Sequence, residues 1–193
     1  MASVAALRRE LKRQRKQLPA AQRRDMSRQL CRHILNSHAF RNAGRFAAYL
    51  PFGGEPDLLP LIGIAAQQGK CCYLPRIDSR TGRLAFHRWQ PGNMLVNNRF
   101  GIPEPSQQSP HTALFALDLI LTPLLAFDPR GNRLGMGAGF YDRSFAFRRH
   151  RDCWHQPKLV GTAWAFQEQS NLDAQPWDVP LDAVVSELGW RCF

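Results

Sequence analysis

The segment Asn132-Arg133-Leu134-Gly135-Met136-Gly137-Ala138-Gly139-Phe140-Tyr141-Asp142-Arg143 most constrains the fold of this chain. It follows an apolar, strand-like run from Leu119 to Phe127 and precedes a helical pattern. Three alternating glycines remove Cβ atoms where the backbone turns sharply, so the spacing specifies a strand, a tight turn and a helix. Amides in such a turn can converge on an anion, and the start of the next helix adds a favourable partial charge. Arg133 and Arg143 flank the turn with positive charge, and Asp142 supplies a hard oxygen suited to Mg²⁺. These are the parts of a phosphate site for a metal–nucleotide. The plain alternative is a strand-to-helix turn in which Asp142 stabilises the first helical turn. A P-loop would need Gly-Lys-Ser/Thr, which is missing, and a dinucleotide fingerprint would need glycine where Phe140 stands.

The rest of the chain alternates helical and strand patterns. Leu7, Leu11 and Leu18 mark a first amphipathic helix ended by Pro19, and a second is expected from about residue 20 to 37, with Met26, Leu30 and Ile34 on its apolar face. Strands are expected at residues 45–50, 71–75, 84–89, 118–126, 159–164 and 183–186, with helices at 58–68 and 141–150. Residues 91–114, rich in Pro, Asn, Gln and Ser, read mostly as loop. This alternation specifies an open, largely parallel α/β sheet, whose ligands belong beyond the C-terminal strand ends. The loops carrying Glu55, residues 128–139 and residues 166–178 all follow strands and are expected at one rim.

The length of 193 residues suits one domain with a full core. The N-terminus carries no apolar signal sequence and no apolar run is long enough to span a bilayer, so a cytoplasmic protein is expected. A net charge of +11 points to anionic partners, with basic runs at residues 7–16 and at Arg148-Arg149-His150-Arg151. A solvated helix face remains the alternative for the first run. Cys31, Cys71, Cys72, Cys153 and Cys192 show neither a C-x-x-C pair nor zinc spacing, so reduced cysteines and no structural zinc are expected.

Residues in order along nearly the whole chain resemble the 5-formyltetrahydrofolate cyclo-ligase (methenyltetrahydrofolate synthetase) family. They are a basic N-terminal helix with Leu7-Arg8, Tyr49-Leu50-Pro51 followed by Glu55, Leu74-Pro75-Arg76 and Gly101-Ile102-Pro103-Glu104-Pro105. Thr122-Pro123-Leu124-Leu125-Ala126-Phe127-Asp128, the glycine segment and Trp177-Asp178-Val179-Pro180-Leu181-Asp182 complete the set. The resemblance implies a single three-layer α/β/α domain over residues 1–193, Rossmann-like with a CoA-transferase-like topology, with residues 1–40 as a helical segment packed on it. It implies an ATP- and Mg²⁺-dependent ligase that converts 5-formyltetrahydrofolate to 5,10-methenyltetrahydrofolate and releases ADP and phosphate, acting as a monomer.

Carried over by position, the resemblance assigns ATP binding to Arg8, Arg133, Leu134, Gly135, Met136, Gly137, Ala138, Gly139, Phe140 and Tyr141. Folate binding falls to Leu50 and Glu55, with Met136, Gly137, Ala138, Gly139 and Phe140 also touching the reacting formyl group. Asp142 and Asp178 are the Mg²⁺ positions. No side chain is assigned as nucleophile or acid–base catalyst. Each position has a plain alternative: Leu50 as core, Glu55 as a solvated carboxylate, Asp178 as a turn cap, Arg8 as helix surface. Asp128 reads either as a turn residue or as an acid that supports the site from behind. Two departures from the family pattern stand out. Val4 occupies a position where some members carry an ATP-binding lysine, which leaves the contact missing or supplied by a neighbour such as Lys12. Ala138 stands where others have glycine or lysine.

Two other functions remain open: a ligase with the same ATP–Mg²⁺ site and another acceptor, and a nucleic-acid-binding scaffold. The basic charge suits nucleic acid, but no nucleic-acid motif accompanies it. It would equally attract the polyglutamate tail of a folate.

Overall fold

The computed structural model describes residues 3–150 and 156–193; Arg151 and Cys153 lie outside them. Helix α1 (Val4–Gln17) begins at Ser3, whose side chain accepts from the Ala6 amide at 3.2 Å. This is the satisfaction an N-cap serine gives to an orphan helix donor. Pro19 separates α1 from α2 (Ala20–Asn36). The buried stripe of α2 is Ser27, Leu30, Cys31 and Ile34, while Met26 is half-buried. Leu30 and Ile34 are thus buried as expected, while at the N-terminal end Ser27 takes the buried place rather than Met26, and its hydroxyl accepts from the Asp57 amide at 3.0 Å. A short α3 (His38–Asn42) leads into β1 (Arg45–Ala47), and α4 (Leu59–Gln67) leads into β2 (Cys71–Ile77) and β3 (Leu84–Arg88).

Residues 91–114 carry more order than expected. They contain the hairpin β4 (Leu95–Asn97) and β5 (Pro103–Pro105), then β6 (His111–Thr112). Glu104 anchors the hairpin: buried, it pairs with Arg76 at 2.9 Å and accepts from the Ile77 amide at 3.3 Å and Asn98 at 3.2 Å. Next come β7 (Leu119–Pro123), the hairpin β8 (Ala126–Phe127) and β9 (Arg133–Leu134), and α5 (Phe140–Phe145). The chain closes with β10 (Lys158–Thr162), β11 (Ala183–Ser186) and β12 (Gly189–Cys192). The expected long strand over 118–126 thus ends at Pro123. The expected helix over 141–150 is a six-residue helix followed by a 3₁₀ turn at Ala146–His150.

The main sheet runs in the order β12-β11-β10-β7-β1-β2-β3-β6. Strands β11, β10, β7, β1 and β2 are parallel, and β12, β3 and β6 extend the two edges antiparallel. The parallel strands are apolar on both faces, as expected of strands covered on each side. Phe46, Leu119, Leu121, Val160 and Val185 pack with Leu30, Ile34, Leu61 and Ile62 of α2 and α4. Their alternates Ala47, Ile120, Leu159 and Val184 pack with Phe145 of α5 and with Leu181. The sheet is therefore mixed, mostly parallel and flanked by helices. The parallel strands β1, β7 and β10 release their following loops at one rim, where Tyr49 bonds Thr162 at 2.8 Å and Thr162 donates to the Thr122 carbonyl at 3.2 Å. No helix among the described residues is long and apolar enough to cross a membrane.

Candidate active site

Asp128, at the turn between β8 and β9, organises the rim. Its carboxylate is fully buried. It accepts from the Arg130 amide at 2.9 Å, the Asn132 amide at 3.0 Å, the Asn132 side chain at 2.9 Å and the Leu172 amide at 3.1 Å. The Leu172 bond ties this turn to the loop that follows β10. Burial works against the charged form, but the donors from Asn132, Leu172 and Arg130 outweigh it and hold the carboxyl below its usual range. Asp128 is thus a turn-organising acid enclosed by the protein.

From β9 the chain enters the glycine turn. Gly137 (φ +105°) and Gly139 (φ +64°) occupy the left-handed region that favours glycine, Gly139 as the residue preceding α5. Among the described residues no residue other than glycine has positive φ. Ala138 therefore sits between its glycines in ordinary backbone, and its departure from the family pattern carries no strain.

The turn forms one wall of a cavity of about 1010 Å³. Leu134, Gly135, Gly137, Ala138, Gly139 and Asp142 line it from the glycine segment, Arg8 from α1, and Asp178 from the loop after β10. Arg8 is held there by its Nε–H, which donates to the Gly135 carbonyl at 3.0 Å. Arg83, Arg143 and Arg149 also line the cavity. Val4 lies on the wall too, and Lys12 does not. The further cations that line this cavity come from elsewhere in the chain.

Arg133, Tyr141, Phe140 and Met136 do not line this cavity. Met136 is exposed, and Phe140 and Tyr141 pack against the core beneath the turn. Arg133 is enclosed behind the wall, where it donates to Asp142 at 2.6 Å and to the Val179 carbonyl. Burial lowers its guanidinium pKa, and the charges of Asp142 and Asp178 oppose that shift. Asp142 also accepts from the Val179 amide at 3.3 Å, and Asp178 from the Gln175 amide at 2.8 Å. Arg133 therefore orients one carboxylate and senses the other. Outside the turn, Phe100 at the tip of the β4–β5 hairpin meets Phe140 edge-on at 6.1 Å, and Arg143 lies over Phe140 at 5.3 Å.

Glu55 follows β1 and opens on a separate groove of about 310 Å³ that Arg23, Arg24 and Asp57 also line. Its carboxylate pairs with Arg15 at 3.4 Å and accepts from the Phe52 amide at 3.1 Å. Burial raises its pKa, and Arg15 holds it back. Tyr141 lies within electrostatic reach of both Glu55 and Arg133; burial pushes its hydroxyl pKa up, and Glu55 adds to that. Leu50 is half-buried and packs against the core. The structure thus gathers Arg8, most of the glycine turn, Asp142 and Asp178 around one cavity. It sets Glu55 and Leu50 on a neighbouring loop, and Arg133 and Tyr141 beneath the turn. The basic first helix is divided: Arg8 and Arg15 point into the protein, while Arg9, Arg13 and Lys16 are exposed.

The chain is similar to 5-formyltetrahydrofolate cyclo-ligases of Haemophilus influenzae, 37% identical over 91% of this chain and 92% of the relative. The Escherichia coli protein of that name is 36% identical over 91% and 96%. The NMR structure of Aquifex aeolicus 5,10-methenyltetrahydrofolate synthetase superimposes with a TM-score of 0.82 at 29% identity, covering 98% of this chain and 92% of that one. The model of the 5-formyltetrahydrofolate cyclo-ligase family matches residues 1–187, and the chain belongs to that family of ligases.

Proposed function

We propose that this protein converts 5-formyltetrahydrofolate to 5,10-methenyltetrahydrofolate while ATP becomes ADP and phosphate. The observation that carries the reading is the cavity that the glycine turn, Arg8, Asp142 and Asp178 line together, with Glu55 on a separate groove. Family membership supplies the folate side.

A formamide oxygen is a poor leaving group, and phosphorylation makes it a good one. The formyl oxygen attacks the γ-phosphorus as the bond to ADP breaks. N10 then attacks the formyl carbon, the carbon–oxygen bond breaks, phosphate leaves, and N10 gives up its proton to solvent. No protein nucleophile is needed. The chain's task is to align two molecules and to neutralise charge on the transferring group. The exposed turn at 135–139 lets a polyphosphate approach the backbone closely, and Arg8, Arg83, Arg143 and Arg149 supply positive charge. Arg133 keeps Asp142 in one orientation. Glu55, whose rise in pKa on burial Arg15 partly offsets, presents acceptor oxygens that suit the N–H donors of a pterin ring.

The donor set fits Mg²⁺. Asp142 and Asp178 face the same cavity, and among the described residues no group of three or more His, Cys, Asp or Glu forms a closed cage. A carboxylate pair that leaves the other positions to phosphate and water is what Mg²⁺ takes with nucleotides. Bound there, the ion would neutralise polyphosphate charge.

The test follows the methenyl product by its long-wavelength absorbance in a mixture of protein, 5-formyltetrahydrofolate, ATP and Mg²⁺. Product that requires both ATP and Mg²⁺ is expected. MgATP binding without product would overturn the folate reading in favour of another acceptor.

A further inference from the structure

We propose that Arg15 is a positioning residue, which fixes the Glu55 carboxylate and the loop at 52–55 for recognition of the folate ring; this rests on the assignment of Glu55 to the folate. Arg15 is only 1% exposed, a rare state for a charged side chain unless every donor is satisfied. Its Nη2 donates to the Phe52 carbonyl at 2.9 Å and the Gly53 carbonyl at 3.0 Å, its Nε to Gly53 at 3.2 Å, and its Nη1 to the Leu124 carbonyl at 3.3 Å. One guanidinium thus joins the loop after β1 to the end of β7.

The same loop is held from two more sides. Trp164 Nε1–H donates to the Gly54 carbonyl at 2.9 Å, so three consecutive carbonyls are engaged. Gly54 lies at φ +85°, and a Cβ there would come within 2.8 Å of the Arg15 carbonyl oxygen. The backbone of α1 therefore rests directly on the loop at the residue before Glu55. The carboxylate itself receives one amide, from Phe52, and the flank of the guanidinium at 3.4 Å. A carboxylate has about four acceptor directions. These contacts orient the group and leave capacity for a ligand in the groove.

Arg15 stands two helical turns from Arg8, with buried Leu11 between them on the same face. One end of α1 reaches the glycine turn through Arg8, and the other reaches the Glu55 loop through Arg15. The Arg15 end is therefore predicted to affect the folate and spare ATP.

The experiment varies each substrate separately in the parent, Arg15→Lys, Glu55→Gln and the double variant. Lysine keeps the charge and loses the fork that spans three carbonyls. Arg15→Lys is expected to raise the KM for 5-formyltetrahydrofolate about tenfold and leave the KM for ATP within about twofold. In the Glu55→Gln background its effect should shrink to within about twofold, since the group it positions is gone. An unchanged folate KM in Arg15→Lys beside a responsive Glu55→Gln would overturn the role of Arg15 alone. Equal penalties in both backgrounds would do the same. An unchanged folate KM in Glu55→Gln would overturn the assignment of Glu55, and this role with it. Should circular dichroism show Arg15→Lys unfolded, Gly54→Ala carries the test. It drives the loop off α1 with Arg15 in place, and the same split between the two KM values is expected; no split would overturn the proposal.

Discussion

Asp128→Asn separates the charge of the enclosed carboxylate from its shape. One oxygen remains to accept from the amides of Arg130 and Asn132. The other becomes an NH₂ group facing three donors: the Asn132 side chain and the Leu172 amide at short range, and the exposed Arg130 guanidinium at 3.4 Å. Hydrogen bonds to a charged group contribute roughly 1.5–3 kcal/mol each, and an unpaired buried donor costs a comparable amount. Loss of the two short bonds therefore destabilises by about 3–6 kcal/mol, a large share of the roughly 5–15 kcal/mol of a typical fold. For a chain of this length that lowers the melting temperature by about 10 °C. The folded pKa of Asp128 lies below its unfolded value, so this stabilisation is complete above a pH of about 4 and is lost as pH falls through the folded pKa. Calorimetry from pH 8 down to pH 3 should show parent and variant far apart at neutral pH and converging in acid. Melting temperatures within about 2 °C at pH 7 would refute the claim that the Asp128 charge ties its turn to the loop that follows β10.

Asp142→Ala should abolish detectable methenyl product, because Asp142 lies on the cavity wall, and should also lower the melting temperature, because enclosed Arg133 loses its carboxylate and keeps only its carbonyl partner at Val179; absorbance and a circular-dichroism melt check the two halves. Glu55→Gln should raise the folate KM about tenfold with little change for ATP, in steady-state kinetics that vary each substrate. Burial pushes the Cys31 thiol up to about 12 and raises that of Cys72 further, so both should resist iodoacetamide at pH 8 while exposed Cys192 is labelled, as peptide mass spectrometry would show.

The parallel core was legible because its strands are apolar runs bounded by Gly and Pro, with Phe46, Ile120 and Val184 filling both faces. The glycine turn was legible because Gly137 and Gly139 occupy backbone that other residues avoid. The β4–β5 hairpin was not, since Pro103 and Pro105 argue against a strand and the anchoring partner of Glu104, Arg76, lies in another strand. Strand β12 shows no alternation and forms only by pairing with β11. Arg15 was hidden in a basic run that reads as solvated surface. Its seven-residue spacing from Arg8 through Leu11 was the available signal, and only the burial makes sense of it. From sequence Asp128 reads equally as a turn residue or as a supporting acid, because its partner Leu172 is 44 residues away.

The central claim is that ATP activates the formyl oxygen in the cavity formed by the glycine turn. The direct measurement uses 5-formyltetrahydrofolate labelled with ¹⁸O in the formyl group and follows the label by mass spectrometry as methenyl product appears. The account predicts one labelled oxygen in the released inorganic phosphate for each product molecule. Unlabelled phosphate beside methenyl product would contradict it, because the formyl oxygen would then have left without ever bonding to phosphorus.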